Sequence, residues 1–393
     1  MAEARHRELR AKASIVGIGE TAVGLVPGKT SLTLHIEAAA AAIRDSGLKK
    51  DQIDGVLSAP SYVQGYQRQS LAVAEALGIR PRYSDTCQTS GGTPLGMVLH
   101  AVSAINSGLA TAVLITAGDN RATGQSRDTA VEWLAQNRNN QYEAPYGPLV
   151  ASMYAMWGRR HMHDYGTTSA QLASVAVTFR QHAQMTGRAH MMSILTVEDV
   201  LNSKMITSPY RMYDCSLVSD GGCAMVVVNS ELAKSLGLRQ SYVLGIAEAS
   251  THEHMWYSDS CSSSGGVFTG AEARKMAGVS VDDINVAEIY DCFTGSFLIN
   301  LEDLGFCKKG EAGPFCADGQ IGLDGKIPCN THGGLLSYCH SGPAGSMFHV
   351  IEAVRQLRGE CGERQVPSAN IALAHGMGGV FSSHATAILG NTR

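Results

Sequence analysis

The chain has 393 residues, of which 44% are hydrophobic, 17% charged and 6% aromatic, so small aliphatic side chains must fill most of a large core. A net charge of −4, with no basic arm or stripe, argues against a nucleic-acid partner. No apolar run reaches the length that spans a bilayer, so no membrane contact is expected.

The opening MAEARHRELRAKA lacks the apolar centre of a secretion signal, and ten cysteines occur without dense, regular spacing. A cytoplasmic protein with free thiols is therefore expected. In chain order, SIVGIG reads as a strand and SLTLHIEAAAAAIRDSG as a helix stopped by Gly47. After SDTCQTSGG, the segment GGTPLGMVLHAVSAINSG reads as a helix and TAVLITAG as a buried strand of a central parallel sheet. Residues from about 119 to 208 break this alternation with an Asn- and Arg-rich stretch and further helices. They read as an insertion that shapes a pocket over the sheet.

The alternation resumes at SDGGCAMVVVNS, followed by a helix over about 231–236. A second half then repeats the plan with the strand SYVLGIAEAS, the strand, turn, cysteine and helix of AEIYDCFTGSFLINLEDLG, and the Gly-Gly turn and strand of HGMGGVFSSHATAILG. The matched order predicts an α/β protein of two similar halves, 1–235 and 236–393.

Cys87 lies where a polar turn hands over to a helical pattern, which predicts its sulfur at a helix N-terminus. Unpaired N–H groups and the helix dipole there pull a thiol below its free pKa of roughly 8.5. Cys292 repeats the arrangement, and two such cysteines suggest covalent acyl chemistry. A zinc site drawn from Cys329, His332, Cys339 and His340 fits no standard spacing, so no metal is expected.

Several segments together resemble the ordered motifs of the thiolase superfamily. They are the stretch around Cys87, YDCF at 290–293, NTHGG followed by CHSGPAG over 330–345, and the closing HGMGG. SIVGIGET, SPYRMYDCSLVSDGG and EDLGFCKKGE are similar to the sterol carrier protein x and archaeal branch, whose middle motif reads HDCF. The resemblance covers nearly the whole chain. It implies the thiolase fold, two βαβαβαββ halves packed as a five-layer αβαβα core with an inserted loop domain.

It also implies a CoA-dependent acyltransferase that cleaves a β-ketoacyl-CoA, with coenzyme A as co-substrate and no bound cofactor. Cys87 would be the nucleophile, His340 its base and Cys292 a second acid/base. His375 would lend a hydrogen bond. The N–H groups of Cys87 and of the Gly378-Gly379 turn would form an oxyanion hole, with Asn330 beside the substrate. A small OB-fold protein with a zinc ribbon and a second copy of the chain are the implied partners, besides acyl-CoA.

Tyr290 departs from the thiolase pattern, which has Asn or His there. It resembles the tyrosine of thiolase-fold retro-aldolases that cleave β-hydroxyacyl-CoA side chains of steroids. Those relatives carry Tyr in place of His340, so keeping both Cys87 and His340 favours thiolysis, with a bulky substrate such as benzoylsuccinyl-CoA as one candidate. Retro-aldol cleavage and a non-catalytic lipid carrier are the alternatives.

Overall fold

Strand β1 (Ala13–Glu20) carries glycine at positions 17 and 19 because helix α1 (Ser31–Ser46) lies directly on it. A Cβ on Gly17 would stand 2.2 Å from the carbonyl oxygen of Ala42, and one on Gly19 would stand 2.3 Å from that of Ala38. The alanines of the helix and the missing side chains of the strand are therefore one packing solution. Thr30 caps α1 by accepting from the Thr33 N–H, and Gly47 ends it in the left-handed region at φ 73°.

The computed structural model describes residues 8–393. After α1 come β2 (Gly55–Ser58), α2 (Gln69–Leu77), β3 (Tyr83–Thr86), α3 (Thr93–Asn106) and β4 (Ala112–Asn120). The insertion follows, with α4 (Arg127–Ala135), α5 (Val150–Tyr165), α6 (Ser169–Thr186), α7 (Val197–Asn202) and a hairpin of β5 (Met205–Thr207) and β6 (Tyr210–Arg211). The first half closes with β7 (Asp220–Asn229) and α8 (Ser230–Ser235).

The second half contains β8 (Ser241–Ser250), α9 (Gly266–Ala277), β9 (Val286–Ile289), α10 (Thr294–Asp303) and α11 (Ala312–Ala317). It ends with α12 (Gly334–Ser337), α13 (Gly345–Arg358), β10 (Ile371–Gly378) and β11 (Ser383–Gly390).

The strands order as β3-β2-β4-β7-β1-β8-β11-β10-β9. Going outward from the centre, β1 pairs β7 and β7 pairs β4 antiparallel, while β4, β2 and β3 are parallel. On the other side β8 pairs β11 and β11 pairs β10 antiparallel, β10 and β9 are parallel, and a parallel bridge from Ala287 to Cys329 stands where β3 stands in the first half. The expected duplication is thus present in the pairing order, but each half is mixed where an all-parallel sheet was predicted. The halves meet through two paired positions, Ser14 with Tyr242 and Ile15 with Ser241. We propose the boundary near 235/236, between α8 and β8.

Helix α1 covers β1, β4 and β7, and α9 covers β8 and β11. Helices α3 and α13 touch each other and strands of both halves, which makes them the shared central layer of a five-layer αβαβα stack. Insertion helices α5 and α6 pack on α10 and so lie over the second half. Among the described residues no helix is long and apolar enough to cross a membrane.

The topology corrects one expectation. Cys292 follows β9, the counterpart of β2, whereas Cys87 follows β3. The counterpart of the Cys87 loop is therefore the loop before α13, which carries His340.

The glycine contacts under α1 give a direct prediction. Gly17→Ala should cost about 1–3 kcal/mol through overpacking, seen as a lower urea midpoint with an unchanged slope. A midpoint equal to wild type would show that helix and strand separate freely.

Candidate active site

Tyr290 stands where β9 gives way to α10, a turn fixed by side chains that hold backbone. Asn300 Nδ2 donates to the Tyr290 carbonyl at 3.1 Å, and the Phe293 N–H donates to Ser296 Oγ at 3.0 Å. Tyr290 is 5% exposed, and its hydroxyl lies 3.3 Å from His340 Nε2, to which it donates in the tautomer protonated at Nδ1. On the other side of the ring His340 Nδ1 lies 2.8 Å from Ser216 Oγ, which fits the tautomer protonated at Nδ1.

Burial, then the charges of Arg121 and His349, push His340 down to about 3, so the imidazole is neutral. Burial raises the Tyr290 phenol well above its ordinary value, with the neighbouring Cys292 adding to the effect. The pair is thus an uncharged donor and acceptor in contact.

The turn Ser90–Gly92 closes over this pair. A Cβ on Gly91 would stand 2.3 Å from Tyr290 Oη and 2.2 Å from the Met377 carbonyl oxygen, so only glycine allows the approach. Ser90 has φ 53° and shares a hydrogen bond with Tyr62. Its Cβ would be 2.8 Å from a Cβ placed on Gly378, and the Thr89 carbonyl oxygen 2.0 Å. Gly378 therefore meets the loop after β3 at Thr89 and Ser90, while Gly379 lies against Ser382.

Cys87 is elsewhere, and two expectations about it are corrected. Its N–H donates to the Ser58 carbonyl at 3.1 Å, continuing the β3 to β2 ladder, and α3 begins only at Thr93. The thiol therefore has no helix N-terminus behind it. It lies 3.4 Å from His100 Nδ1 and pairs with that imidazole, not with His340. Burial, then the charges of Asp85 and Glu248, push it up to about 12. An open cleft of about 240 Å³ beside it is lined by Tyr83, Asp85 and His100.

Cys292 is 5% exposed, with its sulfur 3.5 Å from Ser296 Oγ and a further hydrogen bond to Tyr154. Burial pushes this thiol up to about 12, which keeps it protonated beside Tyr290. Tyr154, from α5, also donates to the Gly379 carbonyl. The insertion thus reaches Cys292 and the Gly379 carbonyl through Tyr154.

His375 is fully buried on β10. Because His384 Nε2 donates to the Phe381 carbonyl, His384 Nδ1 accepts from His375 Nε2 at 3.2 Å, and burial drives His375 well below its ordinary value. No hydrogen bond links it to Tyr290 or His340. Asn330 is also a correction. Its amide accepts from the Ile289 N–H at 2.6 Å and donates to the Ile289 carbonyl at 2.8 Å, so both polar ends clamp β9 rather than face a substrate.

Beneath Tyr290 lies a buried charge network. His332 Nδ1 and His349 Nδ1 stand 3.0 and 3.7 Å from Glu288 Oε2, and His349 Nε2 stands 3.5 Å from Asp291 Oδ1. Burial opposes both charges, yet hydrogen bonds to the two imidazoles hold Glu288 down to about 2, while Asp291 and Glu288 raise His349 to about 9. The zinc set considered from sequence does not converge. Cys329 donates to the Ile327 carbonyl, Cys339 to that of Asp220, and His340 belongs to the Tyr290 pair.

Sequence reasoning missed Arg121, Tyr62, Ser90 and Asp119. Arg121 is 3% exposed beside the Tyr62 ring, with its Cζ 5.9 Å from the centroid. Asp119 accepts from Ser61 Oγ and from the Tyr62 N–H, each at 2.7 Å, and burial raises its carboxyl to about 6. The available signal was the polar run GDNR at the carboxyl end of an apolar strand, where α/β sheets place ligands.

A family described as Thiolase C-terminal domain-like matches residues 247–391. The acetyl-CoA acetyltransferase of Methanothermobacter thermautotrophicus is 34% identical, over 95% of this chain and 98% of that protein. The chain belongs to the thiolase family. The steroid side-chain-cleaving aldolase of Thermomonospora curvata is also 34% identical to it, over 93% of this chain and 95% of that protein. A solved structure titled Ltp2-ChsH2(DUF35) aldolase superposes with a TM-score of 0.85 at 33% identity, covering 97% of this chain and 98% of that one. An acetyltransferase and an aldolase are thus equally similar in sequence to this chain.

The surroundings of Cys87 fix a pH dependence. With its pKa raised to about 12, alkylation of Cys87 by iodoacetamide should be slow at pH 7 and rise about tenfold per pH unit to pH 10. Peptide mass mapping reads it, and a rate already saturated near neutral pH would restore Cys87 as an activated nucleophile.

Proposed function

We propose that this member of the thiolase family cleaves a β-hydroxyacyl-CoA by a retro-aldol reaction. The observation that carries this reading is the Tyr290 to His340 hydrogen bond, closed over by Gly91 of the facing loop, with the Cys87 thiol on His100 instead. Thiolysis needs a sulfur next to the base, whereas aldol cleavage needs only proton transfer and a place for an enolate.

In this reading the Tyr290 phenol passes its own proton to Nε2 of neutral His340 as it takes the proton of the β-hydroxyl. The bond between Cα and Cβ breaks, its electron pair forms the thioester enolate, and Cβ leaves as a carbonyl. Backbone N–H groups of the Gly378-Gly379 turn receive the enolate oxygen. Cys292, which burial keeps protonated, donates to Cα to give the shortened acyl-CoA. The proton on the Tyr290 to His340 pair returns through solvent to Cys292, which restores the starting state.

Coenzyme A enters as part of the substrate, and we assign its phosphates to a groove of about 590 Å³ that includes Arg159, Arg160 and His163. These side chains project from α5, the helix that brings Tyr154 to the site. A cytoplasmic homodimer and a small OB-fold partner with a zinc ribbon complete the proposal. The partner draws support from the solved aldolase, whose title joins Ltp2 to ChsH2(DUF35).

Thiolysis of a β-ketoacyl-CoA, with a bulky acyl group such as that of benzoylsuccinyl-CoA, is the second reading. The acetyltransferase relative favours it. It requires the Cys87 thiol to leave His100 and reach His340.

Turnover of a β-hydroxyacyl-CoA and of a β-ketoacyl-CoA with added CoA separates the two. Tyr290→Phe should slow aldol cleavage by about 100-fold or more, while Cys87→Ser leaves it within about twofold. An acyl adduct seen by intact mass in the wild type and lost in Cys87→Ser would sink the aldol reading in favour of thiolysis.

A further inference from the structure

We propose that Arg121 forms a subsite for a carboxylate on the acyl chain, so that the substrates are acyl-CoA thioesters bearing a second anionic group near the reacting carbons. The proposal rests on the reading of this pocket as an acyl-CoA site and names the class of acyl group it takes.

Arg121 follows directly on β4 and is 3% exposed, yet no described residue accepts a hydrogen bond from its guanidinium. Its Nε is fully enclosed without a partner. The carboxylate beside it, Asp119, is already committed. One oxygen accepts from Ser61 Oγ and the Asn120 N–H at 2.7 and 3.1 Å, and the other from the Tyr62 N–H at 2.7 Å. Keeping a desolvated guanidinium without an acceptor is costly, and an anionic ligand removes that cost.

The position also points into the reaction site. A Cβ on Gly342 would stand 2.9 Å from Arg121 Cδ and 3.2 Å from Tyr62 Cδ2, so this glycine lets Arg121 lie against the loop that carries His340. The charge of Arg121 acts on both Tyr290 and His340. The Tyr62 ring stacks on Trp133 with centroids 4.0 Å apart, giving an apolar wall next to the guanidinium. A planar fork of N–H donors matches a carboxylate in two parallel bonds, which a lysine ammonium does not reproduce.

The phosphates of CoA do not suit this position. They lie a full pantetheine arm away from the thioester, while Arg121 adjoins the groups that react. A bound carboxylate would also offset the positive charge that lowers His340, leaving the imidazole a stronger base when the fitting substrate is present.

The test compares two probes of equal acyl length, glutaryl-CoA with a terminal carboxylate and valeryl-CoA without one, titrated calorimetrically into the full chain. Wild type should bind glutaryl-CoA about tenfold or more tightly than valeryl-CoA. Arg121→Gln should erase that preference, and Arg121→Lys should retain part of it. Equal binding of both probes to wild type, or a preference that survives in Arg121→Gln, overturns the subsite alone. Failure of both probes to bind overturns the acyl-CoA reading as well. If Arg121→Gln melts below the assay temperature, the wild-type preference and its reduction in Arg121→Lys decide the matter.

Discussion

The site depends on how closely backbone approaches one phenol. Tyr290 Oη reaches His340 Nε2 on one side, and on the other the α carbon of Gly91 comes so near that a single methyl group there would overlap the oxygen. Each contact comes from a different half or loop of the fold: β9 and α10 supply the tyrosine, the loop before α13 the imidazole, and the turn before α3 the glycine. Because α3 and α13 share the central layer, the loops that precede them are delivered to the same place. Geometry of this kind is set by packing and not by local propensity.

Charge below the site supports the same arrangement. Glu288, His332, His349 and Asp291 are buried together, and Asp291 also accepts from the Leu335 and Leu336 N–H groups at 2.9 and 3.2 Å. That ties the strand carrying Tyr290 to the chain that leads to His340. Asn330 adds a second clamp through both ends of its amide on Ile289. Asn330, expected beside the substrate, thus holds backbone through both ends of its amide. In such a buried cluster of opposite charges, removing one member leaves the others uncompensated.

The duplicated α/β plan was legible from the order of apolar runs, glycine turns and helical patterns, and the motifs also singled out Tyr290, Cys292 and His340, which the fold brings together. The position of Cys87 was misread for a physical reason. A polar stretch before a helix does not say which of its residues lies at the first turn, and here the strand ladder continues through Cys87 before the chain turns at Ser90. Arg121 was hidden because a polar run after a strand looks the same whether it starts an excursion over the sheet or ends inside the pocket. Parallel and antiparallel neighbours were likewise indistinguishable, since strands buried on both faces read as apolar either way.

The short span from Cys87 to Ser90 has an evolutionary consequence. Only a few peptide units separate a sulfur held against the sheet from the glycine that closes on Tyr290, so small changes in the length or sequence of this turn would alter which atom is presented to the pair while the scaffold stays fixed. A family built this way can pass between covalent and non-covalent carbon–carbon chemistry without rebuilding its core, and overall resemblance among its members is a poor guide to which of the two a given descendant performs.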